Sequence, residues 1–166
     1  MLKKIVSGGQ TGVDRAALDI ALQHRIACGG WCPRGRLAED GPIAQHYPLQ
    51  ETPSESYARR TRWNVRDSDG TLILSPLPLT GGTALTLSHA EKLGRPAIVV
   101  DLSESPTVDP TIDWLHHNAI QTVNVAGPRA STWVDAHSEA SKFLTALFKA
   151  LGDAGLIQTA NQALNK

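Results

Sequence analysis

Short apolar runs alternate with amphipathic stretches along most of the chain, and this alternation predicts strands and helices in turn. The apolar runs predict strands at residues 3–7, 25–30, 47–51, 71–75, 96–102 and 120–125. Apolar residues at helical spacing predict helices between them, at residues 13–23, 55–67, 80–93, 110–118 and 133–151. The run at 96–102 is the most strongly apolar, so we expect that strand to be central in the sheet.

Apolar strands separated by helices are typical of a parallel sheet that is covered by helices on both faces. A chain of 166 residues also has the size of one domain. We therefore predict a single α/β domain with three layers and a mostly parallel sheet, built from residues 1–151. Residues 152–166 are predicted to form a weakly helical C-terminal tail. Ligands of such sheets bind beyond the carboxyl ends of the strands.

Composition and charge argue against several kinds of partner. The 16 basic and 16 acidic residues cancel, so no overall field favours nucleic acid or an anionic membrane. No apolar run approaches the length of a membrane span, and the N-terminus turns to glycine too early for a signal peptide, so we expect a cytoplasmic protein. The cysteines, Cys28 and Cys32, lack further zinc ligands at a recognisable spacing, which favours buried or half-buried thiols. His116 and His117 are adjacent and equally lack partners, so we expect no directly bound metal.

Three loops that follow predicted strands carry glycine and hydroxyl groups together with a helix start or an arginine, at residues 7–15, 75–84 and 126–131. Glycine lets the backbone approach a ligand, and the start of a helix favours an anion. The predicted phosphate-binding residues of these loops are Gly8, Gly9, Gln10, Thr11, Gly12, Arg15, Gly81, Gly82, Thr83 and Arg129. Plain turn chemistry is the alternative for each loop. Neither the P-loop motif nor Gly-x-Gly-x-x-Gly is present, which disfavours ATP hydrolysis and ordinary NAD binding.

The segment at residues 31–41 places two arginines and two acids among glycines and a proline. Arg34 is a candidate phosphate ligand, and Glu39 or Asp40 could accept a hydrogen bond from a ribose or pterin or act as a general base. The alternative is that arginine–carboxylate pairs only hold the loop in place. Trp31 is a candidate for stacking on a flat ring. The arginines of the following helix, at 59, 60, 62 and 66, are predicted to form mostly a solvated face.

Six motifs resemble, in this order, those of the family named provisionally as molybdenum carrier proteins: KIVSGGQTGVDRAALD, GGWCPRGRLAEDG, YPLQET, RTRWNVRDSDGTLI, LTGGTALT and NVAGPRAS. The family is similar to the YpsA group but circularly permuted, within the superfamily of lysine-decarboxylase-like (LOG) proteins and DprA. The resemblance covers residues 2–150. It implies a Rossmann-like sheet, a ligand of the nucleotide or molybdenum-cofactor type, and self-association as a homodimer or homotetramer.

The resemblance also bears on whether the chain is an enzyme. Related enzymes that cleave the glycosidic bond of nucleoside monophosphates place a glutamate three residues after the threonine of the Gly-Gly-Thr loop, and this chain has Thr86 there. A carboxylate stabilises the oxocarbenium-like state of that reaction, so Glu39 or Asp40 would have to replace it. We therefore favour a carrier of a phosphate-bearing small molecule, which needs no catalytic residue.

The ligand of such a carrier would be the molybdenum cofactor or an AMP-like nucleotide. The metal of that cofactor is held by its own dithiolene, so the resemblance implies no metal ligand from the protein. A phosphoribohydrolase-like enzyme and a sensor of a nucleotide signal are the alternatives to the carrier.

Overall fold

A six-stranded sheet forms the centre of the protein, of which the computed structural model describes residues 1–159. Its strands are β1 (Lys4–Val6), β2 (Ala27–Cys32), β5 (Leu49–Glu51), β6 (Gly70–Leu74), β7 (Ala97–Val100) and β8 (Thr122–Ala126). A separate hairpin consists of β3 (Leu37–Ala38) and β4 (Gly41–Pro42). The order in the sheet is β5-β2-β1-β8-β6-β7, and all neighbouring strands are parallel. The predicted parallel α/β architecture is confirmed.

Five helices cover the two faces of this sheet: α1 (Val13–Gln23), α2 (Tyr57–Arg66), α3 (Gly81–Lys92), α4 (Asp109–His117) and α5 (Ala136–Asp153). Helix α1 packs against α5, and α4 also contacts α5. On the other face α2 packs against α3 and β2, and α3 packs against β6 and β7. The result is the predicted arrangement of three layers, because parallel strands need crossover helices.

The two faces of the sheet differ in polarity. Leu72 and Leu74 of β6 belong to the main apolar core together with Val123 and Val125 of β8, and residues of α1 and α5 complete it. Since successive strand residues point to opposite faces, Thr71, Ile73 and Asn124 do not face this core. Instead the buried amide of Asn124 donates a long hydrogen bond of 3.4 Å to the hydroxyl of Thr71. The face of the sheet with Leu72, Leu74, Val123 and Val125 packs against α1 and α5. The opposite face, with Thr71 and Asn124, carries buried polar side chains.

Strand β7 lies at the edge of the sheet, so the prediction that this run is central was wrong. The interior strand β6 is buried at all five positions, whereas Ala97, Ile98 and Val99 of β7 are only partly buried. The edge strand is nevertheless apolar, because Ile98 and Val100 pack against the main core and α3 contacts β7. The apolar composition of a strand therefore indicates that its two faces are covered by other elements. It does not indicate whether the strand has one neighbouring strand or two.

Other boundaries differ from the predictions for local reasons. Strand β2 starts at Ala27, because Arg25 has a φ of 56° and belongs to the turn after α1. The N-cap of α2 is Ser56, whose side chain accepts a hydrogen bond from the amide of Arg59 at 3.3 Å. The side chain of Ser54 accepts a hydrogen bond from the amide of Ser56, at 3.1 Å, just before this helix.

The chain after α5 returns to the sheet. The amide of Leu2 donates to the carbonyl of Leu156 and that of Gln158 donates to the carbonyl of Leu2, both at 2.8 Å. Ile157 is buried in the main core. The predicted helical tail is therefore wrong for residues 154–159, which pack on the domain, and its remainder, residues 160–166, lies outside the described residues.

Two further expectations concern membranes and cysteines. None of the helices in residues 1–159 combines the length and the apolar character that crossing a bilayer requires. Both cysteines are free thiols, with Cys32 buried and Cys28 half-buried, as predicted. Burial raises the pKa of each thiol, so neither is an activated nucleophile.

Candidate functional site

A cavity of about 300 Å³ lies beyond the carboxyl ends of β1 and β8, and the N-terminal parts of α2 and α3 line it. Strand β8 is inserted between β1 and β6, so the chain's direction of travel across the sheet reverses at this point. Such a switch point is where open α/β sheets bind ligands. Six of the predicted ligand residues line the cavity: Gly8, Gln10, Gly81, Gly82, Thr83 and Arg129.

The start of α3 is the open part of this lining. A Cβ added at Gly81 or at Gly82 would have no atom within 4 Å. The side chain of the N-cap, Thr80, makes no capping hydrogen bond within the described helix, and its carbonyl accepts from the amides of Thr83 and Ala84 at 3.1 and 3.2 Å. The first amides of a helix have no partner within it, so those of Gly81 and Gly82 are available as donors. This helix start is suited to bind an anion.

An ion pair between Arg60 and Asp14 also lines the cavity. Nη1 of Arg60 lies 2.6 Å from Oδ2 of Asp14, and both residues are more than nine-tenths buried. The Nε of Arg60 is buried and has no hydrogen-bond partner within residues 1–159. Burial raises the pKa of Asp14, although Arg60 and its hydrogen bond act in the opposite direction. A buried guanidinium with an unused donor is a candidate ligand for an oxyanion.

Sequence reasoning missed Arg60 because it grouped this residue with a solvated face. Arg59, Arg62 and Arg66 are indeed exposed, but Arg60 is buried with Asn64, four residues later. That spacing places Arg60 and Asn64 on one side of α2, beside the buried Val65. The pattern was present in the sequence, but a polar residue on the buried side of a helix is identified only when its partner is known.

The first loop is closely packed by other parts of the protein. A Cβ at Gly8 would lie 1.5 Å from Nη1 of Arg60, and one at Gly12 would lie 2.4 Å from the carbonyl oxygen of Pro128. Gly9 has a φ of +74°, and its Cβ would lie 2.5 Å from Leu49. The glycines of this loop thus make room for the chain's own groups.

Two amides of the first loop are also engaged by side chains of the same segment. The amide of Gln10 donates to Asp14 at 3.4 Å, and that of Thr11 donates to the side-chain oxygen of Gln10 at 3.0 Å. The same oxygen of Gln10 accepts from the amide of Glu39 at 2.9 Å. These contacts occupy two of the amides of the first loop.

Glu39 lies in the turn of the β3–β4 hairpin and joins three loops. Its carboxylate accepts hydrogen bonds from the hydroxyls of Thr11 and Ser131, and from the amide of Ser131 at 3.1 Å. Nε of Arg129 lies 3.5 Å from the same carboxylate. Burial would raise the pKa of Glu39, but the hydrogen bonds from Ser131 and Thr11 outweigh it and lower the pKa. Glu39 does not line the cavity.

Asp40, the next residue of the turn, pairs with Arg15. The two guanidinium nitrogens lie 2.8 and 3.2 Å from its carboxylate oxygens, and this hydrogen-bonded pair lowers the pKa of Asp40. Arg15 also donates to the carbonyl of Gly9 at 3.2 and 3.0 Å. Both side chains are outside the cavity lining, so the pair attaches the hairpin to the first loop.

The remaining predicted residues of the second segment, Arg34 and Trp31, lie away from the cavity. Arg34 pairs with Glu55 at 2.9 Å, and both side chains are mostly exposed. Trp31 packs edge-on against Trp63 with ring centroids 4.8 Å apart, and its Nε1 donates to Asp67 at 2.7 Å. Tyr57 is the aromatic residue of the described lining.

The described part of the chain contains no group of three or more His, Cys, Asp and Glu side chains placed to bind a metal ion. His116 and His117 lie at the end of α4, on exposed positions. The carboxylate among the described lining residues is that of Asp14, which already holds Arg60. The cavity therefore presents hydrogen-bond donors and one arginine–aspartate pair to whatever it binds.

Comparison with known proteins gives two matches. The model of the circularly permutated YpsA family of the SLOG group matches residues 5–148. A crystal structure at 1.45 Å resolution, of a protein from Syntrophus aciditrophicus provisionally named molybdenum carrier protein, is 44% identical in sequence. The match covers 88% of this chain and 94% of that chain, with a TM-score of 0.84. No curated protein matches the chain significantly.

Proposed function

The chain belongs to the circularly permutated YpsA family of the SLOG group, and from that premise we propose that it is a binding or carrier protein. Its ligand would be a small, phosphate-bearing, nucleotide-like molecule held in the cavity. The observation that carries this proposal is the open start of α3, where Gly81 and Gly82 leave free space and free amides in a cavity that a buried arginine also lines.

Each part of the lining has a role in this proposal. The amides of Gly81 and Gly82 and the hydroxyl of Thr83 would donate to phosphate oxygens. Arg60 would add its unused Nε, and Arg129 would contact the ligand from the last loop. The first loop would act mainly by shaping the site, with Gly8 and Gln10 at the cavity wall. Gly9, Thr11, Gly12 and Arg15 would support that wall from behind.

The contacts of the acidic residues favour a carrier over a glycosidic hydrolase. Thr86 lines the cavity at the position where related hydrolases have a glutamate, and its hydroxyl donates to the carbonyl of Gly82 at 2.9 Å. Glu39 and Asp40 are engaged with the loops and do not line the cavity. A carrier requires binding and release, for which the lining is sufficient.

The molybdenum cofactor is one candidate ligand, because the similar Syntrophus protein carries the name of a molybdenum carrier. The donor set fits its phosphate end, which would bind at the start of α3. The cofactor, when bound, would bring its metal on its own dithiolene. The residues of this chain would then bind and orient it, and Tyr57 at the cavity rim would be the ring contact.

The test is a thermal-melt comparison of the purified protein with phosphate, AMP, ATP and the molybdenum cofactor. A ligand that binds only the folded state adds about 2.7 kcal/mol of stability at 100 times its Kd. We expect Gly82→Ala to remove most of that shift, because its new methyl group would occupy the open space. Gly152→Ala is the matched control, since it also adds a methyl group in open space, but on α5.

Failure of all four compounds to shift the melting temperature would contradict the proposal. Release of ribose 5-phosphate from AMP would instead support the alternative of a phosphoribohydrolase. A shift with AMP but not with the cofactor, without such release, would support the sensor. The homodimer or homotetramer stays a prediction, which light scattering after size-exclusion chromatography would check.

A further inference from the structure

The two arginines that line the cavity are each paired with a carboxylate of the chain. Nη1 of Arg60 lies 2.6 Å from Asp14, and Nε of Arg129 lies 3.5 Å from Glu39. Asp14 lines the cavity itself, and it is the single acidic residue among the described lining positions. Since each positive side chain has a negative neighbour, the side chains around the cavity carry little net charge.

The start of α3 supplies the remaining positive potential. A helix N-terminus is equivalent to roughly half a positive charge. The amides of Gly81 and Gly82 and the Nε of Arg60 can still donate hydrogen bonds, so the cavity is rich in donors although it is poor in net charge. Such a site suits an oxyanion with one negative charge. A second negative charge would lie near the carboxylate of Asp14, and the other cation of the lining, Arg129, is already paired with Glu39.

From this balance we infer that the cavity prefers a tetrahedral ester with a single negative charge over a doubly charged phosphate monoester. A phosphodiester or a singly protonated monoester would meet this condition. The inference rests on the proposed function, because it assumes that the ligand's phosphate binds at the start of α3. Asp14 is then a specificity-determining residue: it positions Arg60 and disfavours a second negative charge.

The surroundings of Asp14 are compatible with this role. The charged groups near its carboxylate are Arg60 from α2 and Arg15 from α1, and the amide of Gln10 in the first loop donates to it at 3.4 Å. Tyr57 from α2 and Arg129 from the last loop are the other titratable or charged residues of the described lining. Burial raises the pKa of Asp14, whereas the pairing with Arg60 at 2.6 Å favours the charged carboxylate that this role requires.

The experiment compares two isosteric probes, AMP and adenosine 5′-sulfate, by isothermal titration calorimetry with the full chain. The sulfate ester keeps one negative charge, whereas AMP gains a second one as the pH rises through its phosphate pKa of about 6. We expect AMP to bind on the order of tenfold more weakly at about pH 8 than at about pH 5.5. The affinity for the sulfate ester should change much less over the same range.

Asp14→Asn separates a charge effect from damage to the site. Asparagine keeps an acceptor oxygen for Arg60 but removes the negative charge. We expect this variant to bind AMP at about pH 8 on the order of tenfold more tightly than the wild type, with a smaller change for the sulfate ester. Structural damage would weaken both probes, so it cannot produce this gain. Asp113→Asn, at an exposed position of α4, is the matched control and should change neither affinity.

Two results would overturn the inference and leave the proposed function intact. One is AMP binding that is as tight or tighter at about pH 8, and the other is a folded Asp14→Asn protein that binds AMP no better than the wild type. If this variant does not fold, the two pH profiles of the wild type decide by themselves. Absence of binding by both probes would overturn the inference, and the proposed function would fall with it only if phosphate, ATP and the molybdenum cofactor also fail to bind.

Discussion

Two glycine-rich turns of this protein have similar sequences and opposite surroundings. The first loop, Ser-Gly-Gly-Gln-Thr-Gly at residues 7–12, and the turn Thr-Gly-Gly-Thr at residues 80–83 each follow a strand and begin a helix. Arg60 fills the space beside Gly8, and Pro128 lies against Gly12. The space beside Gly81 and Gly82 is empty. Glycine thus makes room in both turns, for the protein in one and for the cavity in the other.

A glycine-rich loop at the start of a helix is therefore not by itself a ligand site. A glycine is needed wherever a side chain would clash, and the clashing group can be part of the same protein or a ligand. The space beside each glycine distinguishes the two cases better than glycine content does. The amides of Gln10 and Thr11 are occupied by side chains, whereas the helix start at Gly81 is not capped by a side chain. The following variants test that distinction.

The largest effect is expected for Arg60→Ala, which empties the space beside Gly8. The change leaves the carboxylate of Asp14 buried without its partner, and breaking a buried ion pair costs about 3–5 kcal/mol. Urea denaturation should show this loss of unfolding free energy. Arg59→Ala, the exposed neighbour on α2, is the control and should change stability by about 0.5 kcal/mol or less. Equal effects of the two variants would show that Arg60 is not held as described.

Gly12→Ala is expected to lower the free energy of unfolding by about 3 kcal/mol. Gly12 has a φ of +78°, and its new Cβ would lie 2.4 Å from the carbonyl oxygen of Pro128, so backbone strain and overpacking both contribute. The same denaturation experiment measures it. A loss well under about 1 kcal/mol would mean that the last loop moves aside easily, and would weaken the contrast with α3.

The opposite result is expected for Gly82→Ala in the empty turn. Alanine loses less conformational entropy than glycine when it enters a helix, and no atom opposes the methyl group, so stability should stay the same or rise by up to about 1 kcal/mol. Differential scanning calorimetry without ligand checks this. A clear destabilisation would mean that the space beside Gly82 is filled by the protein, as it is beside Gly8.

The smallest effect is expected in the loss of folding stability at acid pH, to which the carboxylates of the β3–β4 hairpin contribute. The folded-state pKa values of Glu39 and Asp40 are lowered, so these carboxylates bind fewer protons in the folded than in the unfolded chain. Their contribution to the free energy of unfolding is therefore present above the ordinary carboxyl pKa. It is lost as the pH falls through the lowered pKa values of the folded state. The double variant Glu39→Gln and Asp40→Asn should lose less stability than the wild type between neutral and acid pH. Urea denaturation at several pH values measures this difference. An equal loss of unfolding free energy in the two proteins between neutral and acid pH would contradict the prediction.

The alternation of apolar and amphipathic segments determined the parallel α/β class and the approximate positions of six strands and five helices. Local chemistry alone was sufficient for these, because strand and helix periodicities are properties of short stretches. The order of the six motifs was sufficient to identify the family. The cavity's location at the carboxyl ends of the strands also followed from the predicted fold class.

The tertiary structure decided the rest. The sequence could not place β7 at the edge of the sheet, because an edge strand that packs against the core can be as apolar as an interior strand. It could not separate Arg60 from the exposed arginines 59, 62 and 66, or show that Glu39 and Asp40 hold loops instead of facing the cavity. Each of these depends on a partner that is distant in the chain. The energy of a buried charge or of a filled space is set by that partner, which no local pattern specifies.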